Sequence, residues 1–405
     1  MSSTKHTTGP SRAPLLWLFW GAVGLIIYTY AGFPLLALVR GLVRPRPVRH
    51  GDDLPGVTMI IAAYNEEAVI ADKLANTQAL DYPPSLLKVI VASDGSSDAT
   101  NSLVREFDAP NVQLLALPRQ GKNRTLNAAV AAADGDILVF SDADSMLKPD
   151  ALRQLVAPFT DPDVGGVGGD YHYASDGMEG GGERTYWSFD RVLKQLQSRS
   201  GSMTSATGQI YAMRRALFRP MPDGVTDDFF TSVQVPAAHK RLVFAPHAVA
   251  YGPVAATAKA EFRRKVRVMT AGLRGVWLVR QLLNPFAYGY FAVQLFSHKV
   301  LRRLMVLPLL VIGVTAPMLW RQSWLYRFIT MGQAALHMAA LLGFALRHTS
   351  IGRNKALSLP FFFDMVNVAA LAALWNLVRG TRHDIWVPQR EATGDVGADV
   401  QYTGA

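Results

Sequence analysis

The feature that most limits the fold of this chain is an uncharged segment over residues 13–39. Its 27 residues are mostly aliphatic or aromatic, and a helix needs about 20 such residues to cross a bilayer. A cleaved signal peptide has a shorter apolar region, of about 7–15 residues. The sequence therefore predicts an integral membrane protein, in which residues 1–50 form a tail and a transmembrane helix.

Three further apolar segments lie toward the carboxyl terminus, at residues 304–320, 328–346 and 357–378. The last of them contains Asp364 and Asn367. An acid at membrane depth is costly and usually faces protein or water. A hydrogen bond between helices is the simpler interpretation of Asp364, and a role in a transport pathway is the alternative.

The region before these segments combines aromatic and basic residues. Residues 277–300 interleave Trp, Phe and Tyr with Arg, His and Lys, which favours a helix in the membrane interface. We therefore predict interface helices over 259–303, three transmembrane helices over 304–380 and a tail over 381–405. The side of the membrane on which the tail lies is left open.

Charge is distributed unevenly along the chain. Residues 1–50 contain six Lys or Arg and no acid, residues 51–258 contain 17 basic and 25 acidic residues, and residues 259–390 contain 18 basic and three acidic residues. A nucleic-acid-binding protein usually carries positive charge on its folded body, so this class is excluded. Positive charge beside apolar segments instead meets anionic membrane lipids. The four Arg residues that follow the first span predict that the domain after it is cytoplasmic.

The soluble domain, residues 51–258, alternates apolar strands with helices. The predicted strands are 57–63, 87–93, 112–117 and 136–140, and residues 122–133 have a helical pattern. This alternation indicates an α/β fold with a doubly wound, Rossmann-like and mainly parallel sheet. Ligands of such sheets bind beyond the carboxyl ends of the strands. The glycine loops of P-loop ATPases and dinucleotide-dependent dehydrogenases are absent from the sequence, so both classes are excluded.

Acids follow two of the predicted strands. Asp142 and Asp144 come directly after the fourth strand, and carboxylates at this spacing can share a divalent cation with substrate phosphates. A solvated turn is the alternative, but Asp94 after the second strand favours a site. Asp94 can bind a base or ribose hydroxyl, or support the turn at Gly95. Lys122 can contact phosphate oxygens or face solvent.

A third acidic group and a cationic segment follow later in the chain. Residues 226–228 precede an apolar helical stretch, so they can cap a helix, or Asp228 can act as a general base. Residues 263–267 form a basic run that fits either a lipid-facing patch or a clamp on a departing diphosphate, with Arg267 as the best candidate. His247 is either a metal ligand or, more simply, a packing histidine.

Taken in order, these motifs resemble the inverting glycosyltransferases of family 2, which have the GT-A fold. The matched segments are Ala63-Tyr64-Asn65-Glu66, Ser93-Asp94-Gly95-Ser96-Ser97-Asp98, Gly121-Lys122 with Leu126-Asn127, Asp142-Ala143-Asp144 and Thr226-Asp227-Asp228. The resemblance covers about residues 55–300. The flanking spans match the membrane-bound branch, which includes the cellulose, hyaluronan and poly-N-acetylglucosamine synthases.

The resemblance implies a nucleotide sugar donor, most often a UDP-sugar, with Mg²⁺ or Mn²⁺ as the cofactor. It also implies a glycan or lipid acceptor, contact with membrane lipids, and a catalytic domain on the cytoplasmic face of an inner or plasma membrane. It assigns the base to Asp228 with Asp227, and the acceptor pocket to Gly208 and Gln209. The residues implied to bind the nucleotide sugar are Ala63, Tyr64, Asn65, Glu66, Asp94, Lys122, Asp142, Arg264 and Arg267. The residues implied to bind the metal are Asp142 and Asp144, with His247 as a further candidate.

Two positions depart from the family pattern. Asp227 stands where the family triplet usually has Glu, which is a conservative change. Processive synthases carry Gln-x-x-Arg-Trp, whereas this chain has Arg264-Lys265-Val266-Arg267-Val268. The missing Trp, which packs on the acceptor sugar in that branch, leaves a polymer and a lipid acceptor both open, and lipid-acceptor relatives carry an Arg-x-x-Arg-Trp variant. A non-catalytic membrane scaffold is a third hypothesis, which the intact acids disfavour.

Overall fold

A computed structural model describes residues 12–173, 181–253 and 258–381 of the chain. The predicted tails, before residue 12 and after residue 381, lie outside the described residues. The first two helices are α1 (Ala13–Ile27) and α2 (Phe33–Val43), and a π-helical turn at Tyr28–Gly32 joins them into one apolar segment. This segment leads directly into the soluble domain.

The soluble domain is built on a sheet that has eight strands within the described residues. The strands are β1 (Val57–Ala63), β2 (Leu87–Asp94), β3 (Val112–Leu117), β4 (Ile137–Asp142), β5 (Met146–Leu147), β6 (Val164–Tyr173), β7 (Ile210–Arg214) and β8 (Arg241–Gly252). The helices of the domain are α3 (Ile70–Gln78), α4 (Thr100–Glu106), α5 (Lys122–Ala131), α6 (Ala151–Val156), α7 (Gly181–Ser200) and α8 (Asp227–Ala237).

The strands follow the order β3-β2-β1-β4-β7-β6-β8-β5. β1 pairs in parallel with β2 and β4, and β2 pairs in parallel with β3, which confirms the parallel half that the sequence predicts. The other half is mixed, because β7 runs antiparallel to both β4 and β6, and β5 runs antiparallel to β8. The complete sheet is therefore mainly parallel on one side and mixed on the other.

Apolar side chains cover both faces of the parallel half. All seven residues of β1 are buried, as expected of a parallel strand with helices on both sides. Met59 and Ile61 belong to a cluster that includes Ile70 of α3, whereas Ile60 lies on the other face with Leu126 of α5. Burying each large apolar side chain contributes about 1.5–3 kcal/mol, so the two faces together fix the position of the sheet.

The parallel register brings the acidic motifs to one edge of the sheet. Ala62 of β1 lies opposite Asp142 of β4, and Ala63 lies opposite Ser93, one residue before Asp94. The loop that begins at Tyr64 therefore leaves the sheet beside both acids. This edge is the carboxyl end of the strands, where the sequence predicts ligand binding.

The carboxyl-terminal part of the chain is helical. Its helices are α9 (Ala258–Leu278), α10 (Pro285–Tyr288), α11 (Tyr290–Leu295), α12 (Arg302–Leu304), α13 (Val306–Met318), α14 (Trp324–Ala345) and α15 (Lys355–Val378). α15 packs against α9 and also against α7 of the soluble domain, and α2 packs against α7 as well. The membrane helices thus contact the soluble domain from both ends of the chain.

Residues 277–300, whose composition favours a helix in the membrane interface, do not form one continuous helix. α9 ends at Leu278, and the rest of this region is divided into α10, α11 and a π-helical turn at Phe296–Leu301. Pro285 provides no backbone N–H for an incoming helix, and Gly289 has a φ of 54°, which ends α10. Phe286 is 99% exposed between these breaks, where an aromatic ring can meet the membrane interface.

Three helical segments of the described chain are long and apolar enough to cross a membrane. They are Ala13–Val43, α14 and α15. The span predicted at 304–320 corresponds to α13, whose 13 residues extend about 20 Å, less than the thickness of a hydrocarbon core of about 30 Å. α13 qualifies only together with Tyr290–Leu304, from which it is bent by 50°.

The acid of the last span has a partner on the neighbouring helix. Asp364 of α15 lies 2.9 Å from Nδ1 of His337 on α14. Asn367 instead donates its side-chain amide to the carbonyl of Phe363, at 2.9 Å. The structure therefore confirms the interpretation of Asp364 as a contact between helices.

Candidate active site

The loop after β1 is fastened to the loop after β2. Asn65 has a φ of 52°, and its side-chain oxygen accepts a hydrogen bond from the backbone N–H of Ser97, at 2.9 Å. Glu66 is buried, and its backbone N–H donates to Oγ1 of Thr100, at 2.8 Å. Ala63 is fully buried at the end of β1. These three predicted nucleotide-binding residues therefore shape the edge of the site.

Asp94 is fully buried and is bound from several directions. Its carboxylate accepts hydrogen bonds from the backbone N–H groups of Gln120 (2.7 Å) and Gly121 (3.0 Å) and from Oγ1 of Thr125 (3.1 Å). It also forms an ion pair with Arg119, at 2.5 Å. A carboxylate has about four acceptor positions, and here they serve the loop before α5. Contact of Asp94 with a nucleoside stays a prediction.

Arg119 is a residue of the site that was not predicted from the sequence. Its guanidinium lies 3.3 Å from the centroid of the Tyr64 ring while it also pairs with Asp94. A cation over an aromatic face is attracted by the ring electrons. Its position just after β3, at the carboxyl edge of the sheet, was the available signal. Arg119 and Tyr64 together form one wall of the site.

Gly95 permits the close approach of this loop. Its φ is +70°, and a Cβ on it would lie 2.6 Å from the backbone nitrogen of Arg119. We expect Gly95→Ala to lower the free energy of unfolding by about 2–4 kcal/mol, because it adds both backbone strain and a clash. Thermal unfolding in detergent measures this loss. Gly56→Ala is the matched control, since its nearest neighbour would be 4.0 Å away. Equal melting temperatures of the two variants would contradict the expectation.

Lys122 connects three elements of the site. It is the first residue of α5, and its Nζ lies 2.8 Å from Oδ1 of Asp142 on β4 and 3.1 Å from Oδ2 of Asp227 on α8. Burial acts to lower the pKa of Lys122, but the carboxylates of Asp142 and Asp227 outweigh it and raise the pKa above its usual value. The lysine therefore stays charged and holds two acids that would otherwise repel each other.

A second lysine, which was not predicted from the sequence, contacts both ends of the acidic turn. Lys73 of α3 is fully buried, and its Nζ donates to Oγ of Ser141, at 2.7 Å, and to the carbonyl of Ser145. Burial lowers the pKa of Lys73 to about 7, although Asp142 and Asp144 act to raise it. The buried face of α3 also carries Ile70, Leu74 and Thr77. A lysine within that apolar periodicity was the signal that would have identified it.

Asp228 lies in the first turn of α8. Its Oδ1 accepts a hydrogen bond from the backbone N–H of Phe229, at 2.7 Å. Burial raises the pKa of Asp228, the charge of Asp227 raises it further, and Lys299 acts in the opposite direction. A carboxylate with a raised pKa is a stronger base than an ordinary Asp, which suits proton abstraction from a hydroxyl.

The predicted acceptor residues lie beside this acid. A Cβ on Gly208 would be 3.7 Å from Cβ of Asp228, so the glycine backbone borders Asp228. The carbonyl of Gln209 accepts a hydrogen bond from Oγ of Ser141, at 3.1 Å. Because Ser141 directly precedes Asp142, the acceptor loop contacts the acidic turn and the candidate base together.

The basic run of α9 contributes Arg267 to the same site. Burial lowers the pKa of Arg267, whereas the nearby charges of Asp227 and Asp142 act to raise it. Arg264, one turn earlier, binds Glu261 of its own helix, with 2.7 Å between Nε and Oε2. The structure thus brings Arg267 toward the acids, and it holds Arg264 against Glu261.

Asp142 and Asp144 fit a divalent cation as a partial donor set. The described residues contain no group of three or more His, Asp or Glu side chains that could hold a metal. Mg²⁺ commonly takes one or two carboxylates and completes its shell with substrate phosphates and water, so two acids suffice. Both belong to one turn, with Asp142 at the end of β4. We therefore regard these two carboxylates as the candidate metal ligands.

The structure does not bring His247 to these acids. His247 is exposed on β8, and β8 pairs with β5 so that Tyr251 lies opposite Met146, just after the acidic turn. His247 precedes Tyr251 by four residues, and at the usual rise of a strand this separates the two by about 13 Å. The interpretation of His247 as a metal ligand therefore gains no support from the register.

Comparison with known proteins assigns the family. A family model described as glycosyltransferase like family 2 matches residues 55–271, which is more than half of the chain. The chain belongs to glycosyltransferase family 2. It is 28% identical over 379 residues to an N-acetylglucosaminyltransferase of Rhizobium meliloti (strain 1021), and the match covers 87% of this chain and 86% of that protein.

Two further similarities concern this glycosyltransferase. It is 26% identical over 243 residues to a poly-beta-1,6-N-acetyl-D-glucosamine synthase of Staphylococcus aureus (strain COL), and the match covers 58% of each protein. Among solved structures, a mannosyltransferase from Pyrobaculum calidifontis in complex with GDP-Man and Mn²⁺ superposes with a TM-score of 0.68 at 23% identity, covering 90% of this chain and 100% of that one. The fold class and the family predicted from the sequence are thereby confirmed.

Proposed function

We propose that this glycosyltransferase transfers a sugar from a nucleotide sugar to a hydroxyl of a growing oligosaccharide or exopolysaccharide. The observation that carries the proposal is the bridge of Lys122 between Asp142 and Asp227, with Asp228 next in the chain. This bridge links the end of β4 to the residue that precedes the candidate base, which supports the proposal. The names of two relatives support UDP-N-acetylglucosamine as the first donor to examine.

The proposed reaction is a single displacement. Asp228 takes the proton of the acceptor hydroxyl while the acceptor oxygen forms its bond to the anomeric carbon of the donor. The bond from that carbon to the diphosphate oxygen breaks in the same step, and its electron pair leaves with the nucleoside diphosphate. Attack from the opposite face inverts the configuration of the sugar. Gly208 allows the acceptor to approach Asp228, because a side chain there would enter the same space.

The departing diphosphate needs positive charge around it. Lys122 pairs with Asp142, and Arg267 is near enough for the charges of Asp227 and Asp142 to act on its pKa, so both provide cations that can bind phosphate oxygens. Asp142 and Asp144 would hold Mg²⁺ or Mn²⁺, which supplies Lewis-acid stabilisation of the leaving group when it is bound. Tyr64 and Arg119 offer the nucleoside a flat wall of ring and guanidinium.

The reaction is proposed to occur at the cytoplasmic face of a membrane. Four Arg residues between positions 40 and 49 separate the first candidate span from the soluble domain. Loops rich in Lys and Arg stay on the cytoplasmic side. A cytoplasmic domain has direct access to nucleotide sugars, so this orientation agrees with the proposed donor.

Transfer of one sugar to a membrane lipid is the second candidate function. The observation in its favour is Val268, which is 37% exposed where processive synthases have the Trp that packs on the acceptor sugar. A valine offers no flat ring to hold a long chain. A product with one sugar per lipid, without a series of longer oligomers, would favour this candidate over the polymer.

Raised pKa values predict a shifted pH profile. Because burial and Asp227 raise the pKa of Asp228, we expect kcat/KM to fall with decreasing pH at values above about 4, the usual range of Asp. Asp227→Asn removes one cause of the shift, so it moves this acid limb to lower pH. Rates of nucleoside diphosphate release across the pH range measure the acid limb of the wild type and that of Asp227→Asn. Identical limbs in the two proteins would contradict the coupling.

The experiment that tests the proposed function uses the full chain in detergent. A panel of nucleotide sugars is incubated with Mn²⁺ or Mg²⁺ and with membrane lipid extract or oligosaccharide acceptors. Released nucleoside diphosphate is measured, and products are sized by mass spectrometry. We expect release from one donor and a series of oligosaccharides. The absence of release from every donor and acceptor would contradict the proposal.

A further inference from the structure

Lys73 is placed where a lysine is rarely found. It is fully buried on α3, although Lys is almost never fully buried unless it is paired. Its amino group holds the two ends of the turn that contains Asp142 and Asp144. α3 packs on one face of the sheet, and α5, which carries Lys122, packs on the other. The contacts of Lys122 therefore do not explain why a lysine is buried at position 73.

The hydrogen bonds of Lys73 enclose the acidic turn. Nζ donates to Oγ of Ser141, which directly precedes the turn, and to the carbonyl of Ser145, which directly follows it. Both ends of the segment between Ser141 and Ser145 are thus held by one amino group. Such a contact limits how far the two carboxylates can turn away from each other.

Asn76 of the same helix holds the next residues of the chain. Its Nδ2 donates to the carbonyl of Leu147, at 2.8 Å, and its Oδ1 accepts from the backbone N–H of Leu147, at 2.9 Å. Lys73 and Asn76 are three residues apart and lie on one face of α3. The helix therefore fixes residues 141–147 at three points.

The same contacts reach the acceptor loop. Oγ of Ser141 accepts from Lys73 and donates to the carbonyl of Gln209, at 3.1 Å. Lys73, Ser141 and Gln209 thus form a hydrogen-bonded chain from α3 to the residues beside Asp228. A change in the acidic turn would be transmitted to the acceptor side through this chain.

We propose that Lys73 is a positioning residue, which orients Asp142 and Asp144 for a divalent cation and couples their turn to the acceptor loop. This inference rests on the proposed function, since it takes these acids as metal ligands. Replacing a residue that orients metal ligands without touching the metal typically weakens metal binding by about 10- to 100-fold. A role through charge alone makes the opposite prediction, because removal of a nearby cation strengthens cation binding.

The test measures Mn²⁺ binding to the purified full chain by electron paramagnetic resonance, with UDP or GDP present. We expect Lys73→Met and Ser141→Ala to weaken Mn²⁺ binding by about 10-fold or more. Lys88→Met is the matched control, because Lys88 pairs with the exposed Asp134 and lies outside the site. Thermal unfolding identifies variants that fail to fold, and Ser141→Ala, which keeps the lysine, decides the case if Lys73→Met is one of them.

Activity adds a second readout. In Ser141→Ala we expect the Mn²⁺ concentration for half-maximal rate to rise, and excess Mn²⁺ to restore most of kcat. A merely structural role would lower the melting temperature and leave the Mn²⁺ affinity of the folded protein unchanged. Folded variants that bind Mn²⁺ as well as the wild type, or more tightly, would overturn the proposal, as would a wild type that binds no Mn²⁺ with either nucleotide. The variants could bind Mn²⁺ more weakly while the wild type releases no nucleoside diphosphate from any donor. That result would support the positioning role of Lys73 and contradict the proposed reaction.

Discussion

Asp228→Asn is expected to slow sugar transfer by at least about 100-fold while the protein keeps its fold and its affinity for the donor nucleotide. Asn has nearly the same shape, and its side-chain oxygen can still accept the hydrogen bond from Phe229. It cannot take a proton from the acceptor hydroxyl. Loss of a general base typically lowers the rate by about 10²- to 10⁴-fold, and we expect kcat to fall within that range. The measurement is nucleoside diphosphate release at saturating donor.

The same substitution is expected to preserve or increase thermal stability. Because the folded-state pKa of Asp228 is raised, its contribution to stability is present at low pH and is lost as pH rises through the folded pKa. At neutral pH the ionised carboxylate therefore opposes folding, and a neutral Asn removes that cost. The melting temperature of the variant relative to the wild type is expected to be highest at neutral pH and to approach equality in acid.

Asp223→Asn is the matched control for this prediction. Asp223 lies in the loop before α8 and forms an exposed ion pair with Arg124, at 2.6 Å. The control is expected to keep its activity. A variant at Asp228 with wild-type kcat would show that another group removes the proton, and the assignment of the base would then be wrong.

Asp142→Asn is expected to lower both kcat/KM and the affinity for the nucleotide with Mn²⁺. The substitution removes a candidate metal ligand and the partner of Lys122, whose Nζ lies 2.8 Å from Oδ1. Stabilisation of a leaving group by a metal ion amounts to several kcal/mol, so kcat/KM is expected to fall by about 10²- to 10³-fold. Unlike the change at Asp228, this one also weakens the binding of the nucleotide with Mn²⁺. Calorimetric titration with UDP and Mn²⁺ separates the two variants.

Asp134→Asn serves as the control for Asp142. Asp134 is exposed and pairs with Lys88 at 3.0 Å, so its neutral variant loses a surface ion pair worth at most about 1 kcal/mol. Wild-type Mn²⁺ dependence in Asp142→Asn would contradict the metal role of the acidic turn. In the control variant Asp134→Asn, by contrast, wild-type Mn²⁺ dependence is the expected result.

The parallel half of the sheet and the acids at its edge were predictable from the sequence. β1 is a continuous apolar run, which is typical of a strand buried on both faces, and the register then places Asp142 and Asp94 at one edge. The pattern predicted β1 and β3 with the bounds that the structure has. The ends of β2 and β4 differ slightly, so that Asp94 and Asp142 are themselves the last strand residues.

The mixed half of the sheet was not predictable by the same reasoning. β6 contains four glycines among its first six residues, and glycine gives no periodic signal. Its packing explains them, since a Cβ on Gly169 would lie 2.6 Å from the carbonyl of Ala248. That contact joins residues far apart in the chain, and a pattern in one segment does not contain it.

The residues of the candidate site were likewise predictable only in part. Asp142, Lys122 and Asp228 were identified by their types and positions, and in the structure Lys122 pairs with Asp142 and with Asp227, which directly precedes Asp228. Two partners of Asp94 are backbone N–H groups of the loop before α5, and they depend on a fold of that loop that residue types do not specify. Lys73 was missed because a lysine is ordinarily assigned to the surface.

The anomeric configuration of the product tests the central claim most directly. A single displacement with Asp228 as the base inverts the configuration at the transferred carbon. With an α-linked nucleotide sugar as the donor, proton magnetic resonance of the isolated product is therefore expected to show a β-linked sugar. An α-linked product would require a double displacement or another mechanism of retention, and it would contradict the account.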